Sequence, residues 1–222
     1  MQKKEKSFLI IGVVIMSCII MAIIETVIEP SYFTKSALKV LFFFIIPLVS
    51  MKLLKASPLN NFFLLNTKSI VKLLGLGGVI YAIIIVAFLL TRHIFDYTTL
   101  INSLSADQNV SPKSFIWVAS YISFGNSLLE EFMFRLYAFI LLSECISKKA
   151  AYAFSSLMFA IYHVAMFGSA FPLPLIILSL IGLAVGGMIF NYVNDKNRTI
   201  YNSWVIHMFA DFAIMSIWYI HI

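Results

Sequence analysis

Six ionisable side chains lie within long apolar stretches in the carboxyl-terminal half of the chain: Glu130, Glu131, Arg135, His163, His207 and Asp211. A charged side chain near the centre of a bilayer costs about 2.5 kcal/mol or more, so an ionisable residue kept there indicates a function. Carboxylates and imidazoles are the groups that transfer protons and bind metals in hydrolytic enzymes. Their types therefore predict proton-transfer or hydrolytic chemistry within a membrane.

The two adjacent glutamates have different predicted roles. Glu131 lies four residues before Arg135, which is the favoured order for an ion pair on one helix face, so this pair is interpreted as structural. Glu130 points about 100° away from its neighbour and is not aligned with Arg135. It is therefore the acid left without a local partner. Burial disfavours the charged form of such an acid, which would suit it for work as a general base.

Two further pairs have the spacing of one helical turn. Phe159 and His163 are four residues apart, as are His207 and Asp211, so each pair shares a helix face. At a rise of about 1.5 Å per residue, Glu130, His163, His207 and Asp211 lie at similar depths in their predicted segments. These four residues can therefore converge at one level of the bundle, as a shared site requires.

The elements that would position these residues are seven apolar segments, most of them close to the length of about 20 residues that spans a bilayer as a helix. They cover residues 7–28, 37–54, 70–90, 114–143, 150–167, 172–193 and 200–220. With 61% hydrophobic and 12% charged residues, the chain is not a soluble globular protein. We therefore predict one all-α integral membrane domain over 1–222. It would be a polytopic bundle of about seven transmembrane helices, with a catalytic cavity within the last four.

The basic residues predict the orientation of the chain. Lys and Arg accumulate in cytoplasmic loops. When the amino terminus is placed in the cytoplasm, eleven basic residues lie on the cytoplasmic side and four on the opposite side. The short lysine-rich loops fit a bacterial plasma membrane. The net charge of +6 therefore reflects membrane orientation, and the lack of a folded polar surface excludes a nucleic-acid partner. Glu25, Lys39 and Lys72 lie near segment ends and are expected to snorkel to the interface.

Three motifs follow one another in the last four segments. They read E-E-x-x-x-R at 130–135, F-x-x-x-H at 159–163 and H-x-x-x-D at 207–211. Together with the glycine-containing run at 182–187 and the Asn197-Arg198-Thr199 turn, they resemble the CAAX-protease and bacteriocin-processing family of intramembrane endopeptidases, also called the Abi family. The resemblance covers about 114–215, the predicted protease core. Residues 1–90 are predicted only as N-terminal spanning helices.

The resemblance implies a helix bundle around a membrane-embedded site that hydrolyses a peptide bond. Glu130 matches the glutamate that activates water together with His163. His207 and Asp211 match the pair that polarises the scissile carbonyl or holds a metal. If a zinc ion is bound, the implied ligands come from Glu130, His163, His207 and Asp211, because zinc takes nitrogen and oxygen ligands and keeps a position open for water. Spacing does not choose between this site and a purely glutamate-dependent mechanism. The last position is Asp here where many members have Asn, and a carboxyl group donates a hydrogen bond only when it is protonated. Asp211 is therefore a protonated donor, an orienter of His207 or a metal ligand with the two histidines. The implied substrates are membrane-tethered: a prenylated protein, a bacteriocin leader or a pheromone precursor.

Two other functions are alternatives to the endopeptidase. A non-proteolytic bacteriocin immunity or peptide-binding protein would use a small membrane bundle without catalysis. A proton-coupled transporter would line a relay with acids and histidines, but it would place them in matching halves of the chain. The polar residues here are confined to the last four segments, so intramembrane proteolysis is the leading hypothesis.

Overall fold

The computed structural model of the protein describes residues 2–56, 70–97, 101, 114–167 and 171–220. Every regular element within those ranges is a helix, which confirms the predicted all-α class. The seven helices described there are α1 (Lys3–Ile28), α2 (Tyr32–Leu53), α3 (Ile70–Thr91), α4 (115–144), α5 (Lys148–Phe167), α6 (Leu173–Asp195) and α7 (Tyr201–Tyr219). They follow the predicted apolar segments, except that α1 and α2 begin four and five residues before their apolar runs.

Four of the described helices are long and apolar enough to cross a bilayer: α1, α2, α3 and α6. The chain is an integral membrane protein. The other three described helices carry the polar motifs, which lower their hydropathy. The number of seven crossings therefore stays a prediction that depends on α4, α5 and α7.

The helix α2 runs through a proline that interrupts its apolar segment. A π-helical turn, Leu41–Ile45, comes shortly before Pro47. Proline removes one backbone N–H, and its ring crowds the carbonyl four residues earlier. A turn with i→i+5 hydrogen bonds is wider than an α-helical turn and accommodates this change. Because the helix continues past the proline, Lys39 and Ser50 lie on one element.

The described helices belong to two compact units. The first comprises Met1–Leu65 and Leu129–Ser203, and the second comprises Asn66–Leu128 and Trp204–Ile222. The core of the first unit is aromatic: the ring of Phe134 meets those of Phe43 and Phe159 edge-on, with centroids 5.5 and 5.4 Å apart. The second unit has its own buried cluster, which includes Phe115, Met215 and Trp218.

Small residues let α5 and α6 pack closely in the first unit. A Cβ atom on Gly187 would lie only 3.0 Å from the Cα atom of Ser156, so the two backbones are nearly in contact. One turn further along α6, Asn191 donates from Nδ2 to Ser156 Oγ at 3.2 Å. Small residues at the contact and a polar bond across it are common in membrane helix pairs. This packing fixes α5, the helix that carries His163.

A second close approach joins α3 and α7 within the second unit. A Cβ atom on Gly77 would lie 2.5 Å from Cδ2 of Phe209, a residue inside the H-x-x-x-D motif. One turn later on α3, the Tyr81 hydroxyl donates to Ser216 Oγ at 3.1 Å. The absence of a side chain at Gly77 therefore determines how closely α3 packs against the motif.

Candidate active site

The two adjacent glutamates lie at the start of a fully buried helix segment. Glu130 ends a single α-helical turn, and the π-helical segment Glu131–Leu141 follows it. All eleven residues of this segment are buried, and Glu130 is only 2% exposed. Segments of π-helix are rare and often occur at functional sites. Both carboxylates therefore lie in the interior of the first unit.

Glu130 and His163 are brought together in the structure. The Nε2 atom of His163 lies 3.3 Å from Oε2 of Glu130, and Nδ1 of the same ring lies 2.8 Å from the carbonyl oxygen of Phe159. Because a carbonyl only accepts hydrogen bonds, Nδ1 carries a proton in this arrangement. The contact between Nε2 and Oε2 is then attractive only when a further proton lies between them. The pair is arranged to hold and pass on one proton.

Lys39 of α2 reaches the same carboxylate. Its Nζ atom donates to Oε1 of Glu130 at 2.7 Å, and the two side chains are 6% and 2% exposed. The ammonium also lies 5.4 Å from the ring centre of Phe43 and 5.2 Å from that of Tyr162, within the range of a cation–π interaction. The expectation that Lys39 snorkels to the interface is therefore wrong, because a carboxylate and two rings compensate it inside the protein. Sequence reasoning missed this contact.

Glu25 is also directed at a buried partner. It lies in the π-helical turn Ile24–Ile28 at the end of α1, where its Oε1 atom accepts a hydrogen bond of 3.2 Å from the Tyr162 hydroxyl. Tyr162 directly precedes His163 and is 1% exposed. Thus α1 and α2 both supply charged groups beside the F-x-x-x-H motif. The only sequence signal for either residue was a charge inside an apolar segment.

Glu131 is held by a hydroxyl and a guanidinium. Its Oε2 atom accepts a hydrogen bond from Ser203 and lies 3.5 Å from Nε of Arg135. Ser203 in turn accepts from Asn194 Nδ2 at 2.5 Å, and its backbone N–H donates to Asn194 Oδ1 at 3.1 Å. The carboxylate therefore ties α4 to the end of α6 and the start of α7. The helical spacing pointed to Arg135, but nothing in it pointed to Ser203 or Asn194.

Arg135 is fully buried between two aromatic rings. Its guanidinium carbon lies 4.4 Å from the ring centre of Phe159 and 5.1 Å from that of Phe190. Its Nη1 atom donates to Ser155 Oγ at 3.4 Å. The planar, weakly hydrated guanidinium suits such a stacked site. Arg135 thereby links α4 to α5 and α6, and it contacts the ring that lies one turn before His163.

The H-x-x-x-D motif lies on α7 within the second unit. The Nε2 atom of His207 is 3.8 Å from Oδ1 of Asp211, and the two side chains are 6% and 13% exposed. This separation is longer than a hydrogen bond, although both groups share one face of the helix. They form a largely buried pair of an imidazole and a carboxylic acid.

A hydrolytic zinc site would need at least three protein ligands close together. No group of three or more His, Cys, Asp or Glu side chains that could hold a metal occurs among the described residues of either unit. In the first unit the ammonium of Lys39 already lies on Glu130, and a second cation on that carboxylate would be repelled. The carboxylate, imidazole and ammonium found there fit proton transfer.

A thiol nucleophile is not favoured in the loop after α4. Burial, and to a smaller extent the carboxylate of Glu144, raise the pKa of the Cys145 thiol. The thiolate is the nucleophilic form of cysteine, so this shift makes Cys145 less nucleophilic.

Comparison with known proteins finds a family model that matches part of the chain. The model of the family described as Type II CAAX prenyl endopeptidase Rce1-like matches residues 112–213. This segment contains all three motifs, and the match confirms the resemblance drawn from them. No curated protein and no solved structure matches the chain. Lys39 and Glu25 lie outside the matched segment.

Proposed function

We propose that the chain is an intramembrane endopeptidase, because the family model described as Type II CAAX prenyl endopeptidase Rce1-like matches residues 112–213. The observation that carries the proposal is the contact of 3.3 Å between Glu130 Oε2 and His163 Nε2 inside the matched segment. An acid and an imidazole at this distance can take a proton from water and return it later in the reaction. The non-proteolytic alternative is not favoured by the family match.

In the proposed mechanism, Glu130 and His163 act on a water molecule that attacks the carbonyl carbon of the scissile bond. One proton of the water moves to the pair as the new C–O bond forms. The pair then gives this proton to the leaving nitrogen as the C–N bond breaks, which yields a carboxylic acid and an amine. Proton transfer of this kind contributes about 10²–10⁴-fold to a rate. The hydrogen bond from Nδ1 to Phe159 keeps Nε2 directed at the carboxylate.

His207 and Asp211 are assigned to the carbonyl oxygen of the substrate. Negative charge develops on that oxygen when water adds, and removing one donor aimed at it costs about 3 kcal/mol in known enzymes. His207 can donate through a ring N–H, and a protonated Asp211 can donate through its hydroxyl. The assignment is supported by the place of their motif in the matched segment and by their burial.

Glu131 and Arg135 are assigned a structural role. Both side chains are fully buried, and breaking a buried ion pair by removing one partner costs about 3–5 kcal/mol because the other charge is left uncompensated. The pair holds α4 against its neighbours, so that Glu130 is presented at a fixed position.

The substrate class follows from the membrane and the family. A bond cleaved inside a bilayer belongs to a protein or peptide that is held there, and the matched family is described as a prenyl endopeptidase. We propose a prenylated protein, a bacteriocin leader or a pheromone precursor as substrate. We also propose seven crossings in a bacterial plasma membrane with the amino terminus in the cytoplasm, on the basis of the eleven-to-four distribution of basic residues.

The proposal can be tested with the full chain reconstituted in liposomes. Two reporter peptides are offered, one anchored by a prenylated cysteine near its carboxyl terminus and the other by a transmembrane helix. In water enriched in heavy oxygen, we expect the wild type to cleave at least one reporter and to leave heavy oxygen in the new carboxyl group. A folded Glu130→Gln variant should leave both reporters intact. Wild-type protein that binds a reporter without cleaving it would overturn the proposal and support the peptide-binding alternative.

A further inference from the structure

The ion pair between Lys39 and Glu130 joins an amino-terminal helix to the proposed base. Nζ and Oε1 are 2.7 Å apart, and the two residues are separated by 91 positions in the sequence. The segment that matches the family begins only at residue 112. The helix α2 therefore contributes a cation from outside the part of the chain that carries the motifs.

The surroundings of Lys39 stabilise a charged ammonium inside the protein. The side chain is 6% exposed, and an isolated buried charge is strongly unfavourable. The carboxylate of Glu130 compensates the charge, and the rings of Phe43 and Tyr162 lie within cation–π distance. The ammonium is thus held in one place by groups from α2, α4 and α5.

The two oxygens of the Glu130 carboxylate have separate neighbours. Oε1 accepts from Lys39, whereas Oε2 lies 3.3 Å from Nε2 of His163. The last torsion of a glutamate side chain is broad, so a carboxylate is oriented mainly by its hydrogen bonds. A short, charge-assisted bond at Oε1 therefore leaves Oε2 facing the imidazole.

We infer that Lys39 is a positioning residue for the cleavage reaction. It balances the charge of Glu130 and fixes the carboxylate so that Oε2, together with His163, receives the proton from water. This inference rests on the proposed endopeptidase function and adds α2 to the elements on which that function depends.

The kinetic test compares Lys39→Met with a matched control on the same helix. Lys35 lies one turn earlier, is also buried at 9% exposure, and forms no ion pair with a described residue. We expect Lys39→Met to lower kcat at least about tenfold with little change in KM, because a misplaced catalytic group costs rate and not affinity. Lys35→Met should change both constants by no more than about twofold. Lys39→Arg, which keeps the cation, should recover much of the lost kcat.

A double-mutant cycle measures the Lys39–Glu130 pair without relying on activity. We expect Lys39→Met to lower Tm because it leaves the carboxylate of Glu130 buried and uncompensated. Adding Glu130→Gln to that variant removes the second charge. The double variant should therefore lose less Tm than the two single variants lose in sum.

The outcomes separate this inference from the proposed function. If the wild type cleaves, Glu130→Gln does not, and Lys39→Met cleaves at the wild-type kcat, the inference about Lys39 is wrong and the proposed function stands. If Lys39→Met does not fold, Lys39→Arg carries the kinetic test, and a folded Lys39→Arg protein as inactive as Glu130→Gln overturns the inference. Additive losses of Tm would overturn it as well. A wild type that cleaves no reporter would contradict the proposed function, while coupled Tm values would still demonstrate the ion pair.

Discussion

The Nδ1 atom of His163 donates a hydrogen bond to the backbone carbonyl of Phe159, 2.8 Å away and one helical turn earlier. This backbone carbonyl therefore sets which ring nitrogen carries the proton, and the hydrogen bond leaves Nε2 directed at Glu130. The ring of Phe159 also lies 4.4 Å from the imidazole centre and 4.4 Å from the guanidinium carbon of Arg135. One residue thus orients the imidazole and contacts the buried cation.

Replacing His163 by asparagine separates the contact of Nδ1 with Phe159 from the contact of Nε2 with Glu130. The amide nitrogen of His163→Asn can still donate to the Phe159 carbonyl, but no atom replaces Nε2 opposite Glu130. We expect a folded protein whose cleavage rate falls about 100-fold or more. The measurement is reporter cleavage in liposomes, with Tm as the check on folding. His93→Asn, at an exposed histidine just after α3, serves as the control, and equal rates for the two variants would contradict the role of Nε2.

A methyl group at Gly77 should disturb the H-x-x-x-D motif. Its Cβ would lie 2.5 Å from Cδ2 of Phe209, whereas a Cβ on the neighbouring Gly78 meets nothing within 4 Å. Overpacking of this kind costs about 1–3 kcal/mol, and here the ring that must move lies on α7 between His207 and Asp211. We expect Gly77→Ala to lower both Tm and cleavage, and Gly78→Ala to retain both. Equal behaviour of the two alanine variants in thermal unfolding would show that the contact is absent.

The glycine pair on α6 offers a second matched comparison. A Cβ on Gly187 would meet the backbone of Ser156 at 3.0 Å, and one on Gly186 would meet nothing within 4 Å. Gly187→Ala should therefore force α5 and α6 apart and lower the free energy of unfolding by about 1–3 kcal/mol. Gly186→Ala should stabilise the helix by about 0.5–1 kcal/mol, because alanine has the better helix propensity. Chemical or thermal unfolding in detergent distinguishes the two, and a Gly187→Ala protein as stable as Gly186→Ala would refute the close packing.

Substitutions at Asp211 test whether its side chain donates to the carbonyl oxygen. An amide always carries N–H donors, so we expect Asp211→Asn to cleave at least as fast as the wild type. Asp211→Leu removes the donor and should lower the rate about 100-fold. Both rates are measured on the same reporter. An asparagine variant as slow as the leucine variant would instead indicate that the carboxylate itself is needed, for example to orient His207.

The features that were predictable from the sequence depend on neighbours along one helix. Apolar runs of sufficient length become helices because the backbone must satisfy its own hydrogen bonds in lipid. Glu131 and Arg135 meet because they lie one turn apart. The hydroxyl of Ser127 donates to the carbonyl of Ser123 at 2.5 Å, as expected for a serine within a helix.

The contacts that were missed depend on which helix faces meet. Lys39 and Glu130 are 91 positions apart in the sequence. The spacing of residues within α2 or within α4 therefore does not predict their contact. The hydrogen bond from Tyr162 to Glu25 is of the same kind. The expectation that charged side chains near segment ends reach the membrane interface is wrong for Lys39. The buried carboxylate of Glu130 compensates its ammonium better than lipid headgroups would.

The role of Glu130 is tested by the single-turnover cleavage rate of Glu130→Gln on a membrane-anchored reporter. The control is Glu144→Gln, at an exposed glutamate at the end of α4 whose partner is Arg198. We expect a folded Glu130→Gln protein with a rate lowered about 100-fold or more, and a control within about twofold of the wild type. A Glu130→Gln protein that cleaves at the wild-type rate would show that this carboxylate does not activate the water.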